Sequence, residues 1–146
     1  MPNVPNPSRR SLFKYLAATI GSIAAPAADS LPPIAPHDAS YQITDQRELP
    51  GGGVGLFIVV GSNPSSDDLR DLGERLHRQF RGEPNVAVVV FDDLEAAKTV
   101  RTGSRIVGDE LFEAAKAHQK ASYAKNARSG REFLTILGDT LETVTY

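Results

Sequence analysis

The chain has no cysteine and no tryptophan, and only one methionine. Without cysteine there is no disulfide, no thiolate metal site, no Cys nucleophile and no acylated Cys anchor. The absence does not assign a redox compartment, because a domain that folds before export needs no oxidative staple. Long apolar runs are also missing. The most extended one, Tyr15 to Ala25, is Ala-rich and interrupted by Thr19, Gly21 and Ser22. It falls short of the roughly 20 residues that cross a bilayer, so no permanent transmembrane span is expected. Nor is there an excess of positive charge: 16 Lys and Arg stand against 18 Asp and Glu, a formal net charge of −2. What is present is ordinary globular material, 40% hydrophobic and 23% charged over 146 residues, enough for one domain with its own core.

Residues 8–14 read Ser-Arg-Arg-Ser-Leu-Phe-Lys, followed by the weakly apolar stretch and by the small residues Ala25-Pro26-Ala27-Ala28. A charged start, a short apolar middle and a small-residue end is the layout of a signal peptide. An amphipathic helix fits poorly, because no charge lies between Lys14 and Asp29 to supply a polar face. The segment resembles a twin-arginine export signal, with Leu12-Phe13 in the reverse of the commoner order. That resemblance implies Arg9 and Arg10 as the recognised pair, the twin-arginine export machinery as a partner, and a folded cargo that works in the periplasm or otherwise outside the cytoplasm. Removing Arg9, Arg10 and Lys14 from the 16 basic residues leaves 13 against 18 acidic, a net of −5. A domain with that balance is no general polyanion binder, and nucleic acid is not expected as a partner.

The expected organisation is a signal over 1–27, a Pro-rich tether over 28–40 carrying Pro32, Pro33 and Pro36, and a small domain over 41–146. Tyr41 to Arg47 alternates as a strand, Leu49 to Gly55 is rich in turn residues, and Leu56 to Val60 is a short apolar run suited to a buried strand. Asp67 to Arg81 reads as a helix capped by Ser65 or Ser66, with Leu69, Leu72, Leu76 and Phe80 on one face and Gly82 beyond its end. Val86 to Phe91 is a β-branched strand, making a right-handed parallel crossover with the first run. Asp92 or Asp93 caps a short helix through Arg101, 102–108 is a loop, and Asp109 to Ala117 is helical. His118 to Lys125 and Arg131 to Leu137 form a hairpin around the turn 126–130, and Thr143 to Tyr146 either extends the sheet or frays.

Phe91-Asp-Asp, Glu95-Ala-Ala, Ala121-Ser-Tyr-Ala-Lys-Asn126, Gly130 and Leu134-Thr-Ile136 together resemble a group of short bacterial α/β proteins without assigned activity. The resemblance covers about residues 41 to 137 and implies a fold but no activity. The expected fold is α/β (α+β): a single mixed sheet of about five strands, two or three helices mainly on one face, and a C-terminal β-hairpin.

Several residue groups invite a chemical reading. Asp92 and Asp93 end a parallel strand, where paired carboxylates can hold a divalent cation; helix capping with solvation explains them more simply, since no motif places a third acid or a phosphate-binding Lys beside them. Gly51-Gly-Gly-Val-Gly55 runs into a strand rather than a helix, so it reads as a hairpin turn and not as a phosphate loop. The turn 61–66 does run into a helix, but Asp67 and Asp68 oppose an anion there. His37, His77 and His118 lack metal-ligand spacing, and no Ser sits in a nucleophile elbow. His118 is the one histidine retained as a catalytic candidate. Lys116, Lys120, Lys125, Arg128 and Arg131, with Tyr123 among them, form a basic cluster on the hairpin. They suit either an anionic partner or the protection of a sheet edge.

The expected function is therefore an exported binding or accessory module of the cell envelope, leaning away from an enzyme. Its expected partner is an envelope protein or an anionic envelope component, and no cofactor or metal is implied. The alternative is a small hydrolase or metal-dependent enzyme using Asp92 and Asp93.

Overall fold

The computed structural model describes residues 41–146. The export signal with Arg9 and Arg10, and the tether over 28–40, lie outside the described residues. The described chain runs β1 (Tyr41–Glu48), β2 (Val54–Val60), α1 (Ser66–Gln79), β3 (Asn85–Phe91), α2 (Leu94–Thr102), α3 (Ser104–Val107), α4 (Asp109–Lys116), β4 (Gln119–Asn126), β5 (Arg131–Ile136) and β6 (Glu142–Thr145). The six strands form one sheet in sequence order. Only β2 and β3 are parallel, joined through α1; every other neighbouring pair is antiparallel.

The β1–β2 turn shows why this region is rich in glycine. Gly51, Gly52 and Gly53 all have positive φ, and a Cβ on Gly53 would lie 2.0 Å from the Asn85 carbonyl oxygen. Asn85 in turn donates its side-chain amide to the Gly52 carbonyl at 2.9 Å, tying the turn to the start of β3. The glycine-rich segment is thus a hairpin turn.

Period-two alternation in β2 and β3 buries both faces of the sheet, but the two sets of residues enter different cores. Leu56, Ile58, Val86, Val88 and Val90 pack with Leu69, Leu72, Leu76 and Phe80 of α1, together with Tyr123 and Leu134. Phe57, Val89 and Phe91 pack instead with Ala96, Ala97 and Val100 of α2 and Ala115 of α4. Each large side chain of the α1 face contributes about 1.5–3 kcal/mol when fully buried, as an upper bound. Phe57 and Phe91 stack at 5.9 Å on the second face.

Four findings correct the sequence expectation. The sheet has six strands rather than about five, because the 143–146 segment pairs as β6 alongside β5. Among the described residues there are four helices, since the predicted loop over 102–108 contains α3. The helices divide between the two faces instead of lying mainly on one. The cause lies in β2 and β3, whose continuous apolar runs leave both faces needing cover. Finally, the β4–β5 hairpin is interior to the sheet, flanked by β3 and β6, so its lysines protect no edge.

Candidate functional site

At the carboxyl ends of the two parallel strands the chain departs in opposite directions. After β2 it passes through 61–65 into α1 on one face, and after β3 it passes through Asp92 and Asp93 into α2 on the other. Diverging connections of this kind open a crevice beyond the strand ends. A cleft of about 350 Å³ lies on the β2 side of these ends, lined by Val60 at the end of β2, the 61–64 loop, and Asp68, Asp71, Leu72 and Arg75 of α1. Local chemistry shapes its rim. Ser65 caps α1 by accepting from the Asp68 amide at 3.1 Å, and Asp68 accepts from the Ser65 amide at 2.8 Å. The Ser65 hydroxyl also donates to Asp68 Oδ2 at 2.7 Å, and this bond, with the one from the Ser65 amide, holds the Asp68 carboxyl below the usual carboxylate range. Asn63 adopts a left-handed conformation with φ 50, which turns the loop back toward the helix.

Asp92 and Asp93, adjacent in sequence, do different work. Asp93 is the N-cap of α2, accepting from the Ala96 amide at 2.7 Å. Asp92 is turned to β4 and meets His118 Nδ1 at 2.8 Å through Oδ1 and Lys120 Nζ at 3.1 Å through Oδ2. A β-bulge makes this possible. Val90 pairs with Ala121 and Phe91 with Gln119, so Lys120 is the extra residue. Bulges next to functional sites re-aim side chains in this way. The Asp92 side chain is only 8% exposed, whereas that of His118 is 50% exposed. Burial pushes the Asp92 carboxyl up, but hydrogen bonds from His118 and Lys120 and their charge hold it below its ordinary value. An ionised Asp92 can only accept, so His118 Nδ1 carries the proton; in the neutral ring Nε2 is then the basic nitrogen.

The predicted basic cluster of the hairpin is taken apart by the fold. Lys116 pairs with Glu113 at 3.1 Å and lies over the Phe112 ring. Lys120 is bound to Asp92. Lys125 donates to the carbonyl oxygens of Phe80 and Arg81 at 2.9 and 3.0 Å, closing the end of α1. Arg128 and Arg131 are exposed, at the opposite end of the sheet from Asp92. Tyr123 is fully buried and takes no part in any surface. The reason is register: Tyr123 alternates inward with Ala121, opposite Val88 and Leu134.

Tyr123 belongs to a second polar cluster that sequence reasoning missed. Its hydroxyl donates to Glu132 Oε1, which also meets His77 Nδ1 at 2.7 Å. Tyr146 stacks on His77 with ring centres 5.1 Å apart. Burial raises the Tyr123 hydroxyl well above its ordinary value, and the bond to Glu132 adds to this. Burial also pushes the Glu132 carboxyl up, but hydrogen bonds from Tyr123 and His77, with the charges of His77 and Lys125, hold it below the usual range. Gly73 lets this cluster form: a Cβ there would lie 2.2 Å from the Tyr146 hydroxyl oxygen.

Among the described residues no group of three or more His, Asp or Glu is placed to hold a metal ion, and no helix is long and apolar enough to cross a membrane. No family model matches the chain, and neither does any curated protein or solved structure.

Proposed function

We propose that the chain is an exported small α/β domain acting as a binding or accessory module in the cell envelope, and that it engages its partner at the carboxyl ends of β2 and β3. The observation that carries this is the cleft between the 61–64 loop and α1, a concave feature at the carboxyl end of β2. Its lining mixes carboxylates, a guanidinium, a hydroxyl and an amide with the apolar Val60, Pro64, Leu69 and Leu72. Such a surface suits a polar segment of an envelope protein better than an anionic polymer. The dispersal of the hairpin cations points the same way, because it removes the continuous basic surface a polymer would need. Export by the twin-arginine machinery, and hence a periplasmic or otherwise extracytoplasmic site of action, rests on the Arg9-Arg10 pattern. Immobilised full chain should retain an envelope component, and Ser62→Trp, which fills the cleft, should release it while Arg128→Glu with Arg131→Glu should not. Retention by the Trp variant and loss by the Arg pair would reverse the assignment.

A second reading, a small hydrolase, is favoured by the 2.8 Å contact between Asp92 and His118. Asp92 would orient the ring and His118 Nε2 would act as general base toward water. A metal-dependent version on Asp92 and Asp93 has no support in the geometry, since one carboxylate caps a helix and the other is held by Lys120 and His118. Hydrolysis of an activated ester, lost in both His118→Ala and Asp92→Asn, is the outcome this second reading requires.

A further inference from the structure

His118 is tied down at three points. Its amide donates to the Ala115 carbonyl at the end of α4 at 3.1 Å, and its carbonyl accepts from the Asp92 amide at 3.1 Å. Its ring is fixed by the 2.8 Å bond from Nδ1 to the nearly covered Asp92 carboxylate. Among the described residues no hydrogen bond engages Nε2, so the lone pair of this half-exposed ring is left for an external group. An imidazole oriented by a carboxylate in this way is an activated nucleophile. Lys120 adds a charge. Its Nζ bonds the other oxygen of the same carboxylate at 3.1 Å, while the side chain stays 26% exposed. An ammonium has three N–H donors and this contact uses one. Among the described residues the other two have no partner. His77 lacks this combination: Tyr146 stacks on its ring, and the second group on its carboxylate is the Tyr123 hydroxyl rather than an ammonium.

We propose that His118 Nε2 is a phosphoryl acceptor, a covalent modification site at which Asp92 positions the ring and Lys120 receives the phosphoryl oxygens. The class follows from the charges. A neutral electrophile has no use for the Lys120 donors, whereas a phosphoryl group carries the anionic oxygens that an ammonium binds in charge-assisted hydrogen bonds. With phosphoramidate as the donor, the Nε2 lone pair forms a new N–P bond while the donor's own P–N bond breaks and ammonia leaves. Nδ1 keeps its proton, so the ring becomes formally cationic, and the ionised Asp92 stabilises that charge. Nothing is oxidised or reduced. The site shares the Asp92–His118 pair with the hydrolase reading but does not rest on it, because an acceptor needs no turnover. It is equally independent of the cleft.

Treating the full chain with phosphoramidate at neutral pH, and following the addition by tandem mass spectrometry, tests it. His118 is expected to take a phosphoryl group much faster than His77. Asp92→Asn should slow the addition by about tenfold or more, with unchanged far-UV circular dichroism. Lys120→Ala should slow it too, yet leave carbethoxylation of His118 by diethyl pyrocarbonate, a neutral electrophile, at the wild-type rate. Lys120→Arg, which keeps the charge and the donors, should retain phosphoryl transfer. No addition at His118, addition to His77 at the same rate, or a Lys120→Ala loss equal for the two reagents would overturn the proposal. Phosphoryl transfer to His118 in a chain that hydrolyses no ester would support it and remove only the hydrolase reading.

Discussion

His77 meets Glu132 at 2.7 Å and His118 meets Asp92 at 2.8 Å, both through Nδ1, yet the two pairs sit in different parts of the molecule. The first is roofed by Tyr146 and shares its carboxylate with the buried Tyr123. The second lies at the sheet end, its carboxylate nearly covered but its histidine half in solvent. The same two-residue contact is therefore a structural tie in one place and an accessible acid–base group in the other. What distinguishes them is the third partner. A buried phenol must keep its acceptor, whereas a bulged lysine beside an exposed ring can be rehydrated if the contact is lost.

The largest expected effect comes from the covered pair. Glu132→Ala leaves the Tyr123 hydroxyl buried without an acceptor and should cost about 2–3 kcal/mol in urea unfolding. Asp92→Ala should cost no more than about 1 kcal/mol, because Lys120 and His118 regain water. Equal losses would dissolve the distinction. Next in size is Gly73→Ala, whose Cβ would also lie 2.8 Å from a Leu134 methyl. It should destabilise by about 1–3 kcal/mol through overpacking. Tyr146→Phe removes a buried hydroxyl that has no hydrogen-bond partner. It should recover part of the Gly73→Ala loss, and no recovery would mean that the clash is with Leu134.

The pH response has the same sign for both carboxylates. Each is depressed in the folded state relative to its ordinary value. Their contribution is therefore fully present above the unfolded carboxylate range, about pH 4. It is lost as pH falls through the lower folded value. The stability difference between wild type and Glu132→Gln or Asp92→Asn should shrink on acidification over that window. A difference that grows on acidification would reverse the assigned shifts. The smallest expected effect is on the exposed side: His118→Ala should change stability by less than about 0.5 kcal/mol.

The sequence carried much of the fold for a definite reason. β2 and β3 are runs of branched and aromatic residues, and α1 places Leu69, Leu72, Leu76 and Phe80 at helical spacing beside a serine cap. These are local signals that tertiary packing reinforced. The division of helices between two faces was implicit in the continuous apolar strands but needed the cores to reveal it. The candidate site was less accessible. Asp92 and His118 are each candidates by residue type, yet 26 residues separate them, and only the antiparallel pairing of β3 with β4 joins them. The Lys120 bulge has no residue signature. The lysines around Tyr123 in sequence suggest a surface position; strand alternation turns it inward. Glu132, His77 and Tyr146 meet across α1, β5 and the end of β6, a contact no local pattern encodes.

The most direct test of where this domain works is site-specific photocrosslinking in cells, with a photoreactive residue replacing Asn63 in one variant and Arg128 in another. An adduct with an envelope component at position 63, and none at 128, is the expected result. An adduct at 128 alone would contradict the assignment of the working end to the carboxyl ends of β2 and β3.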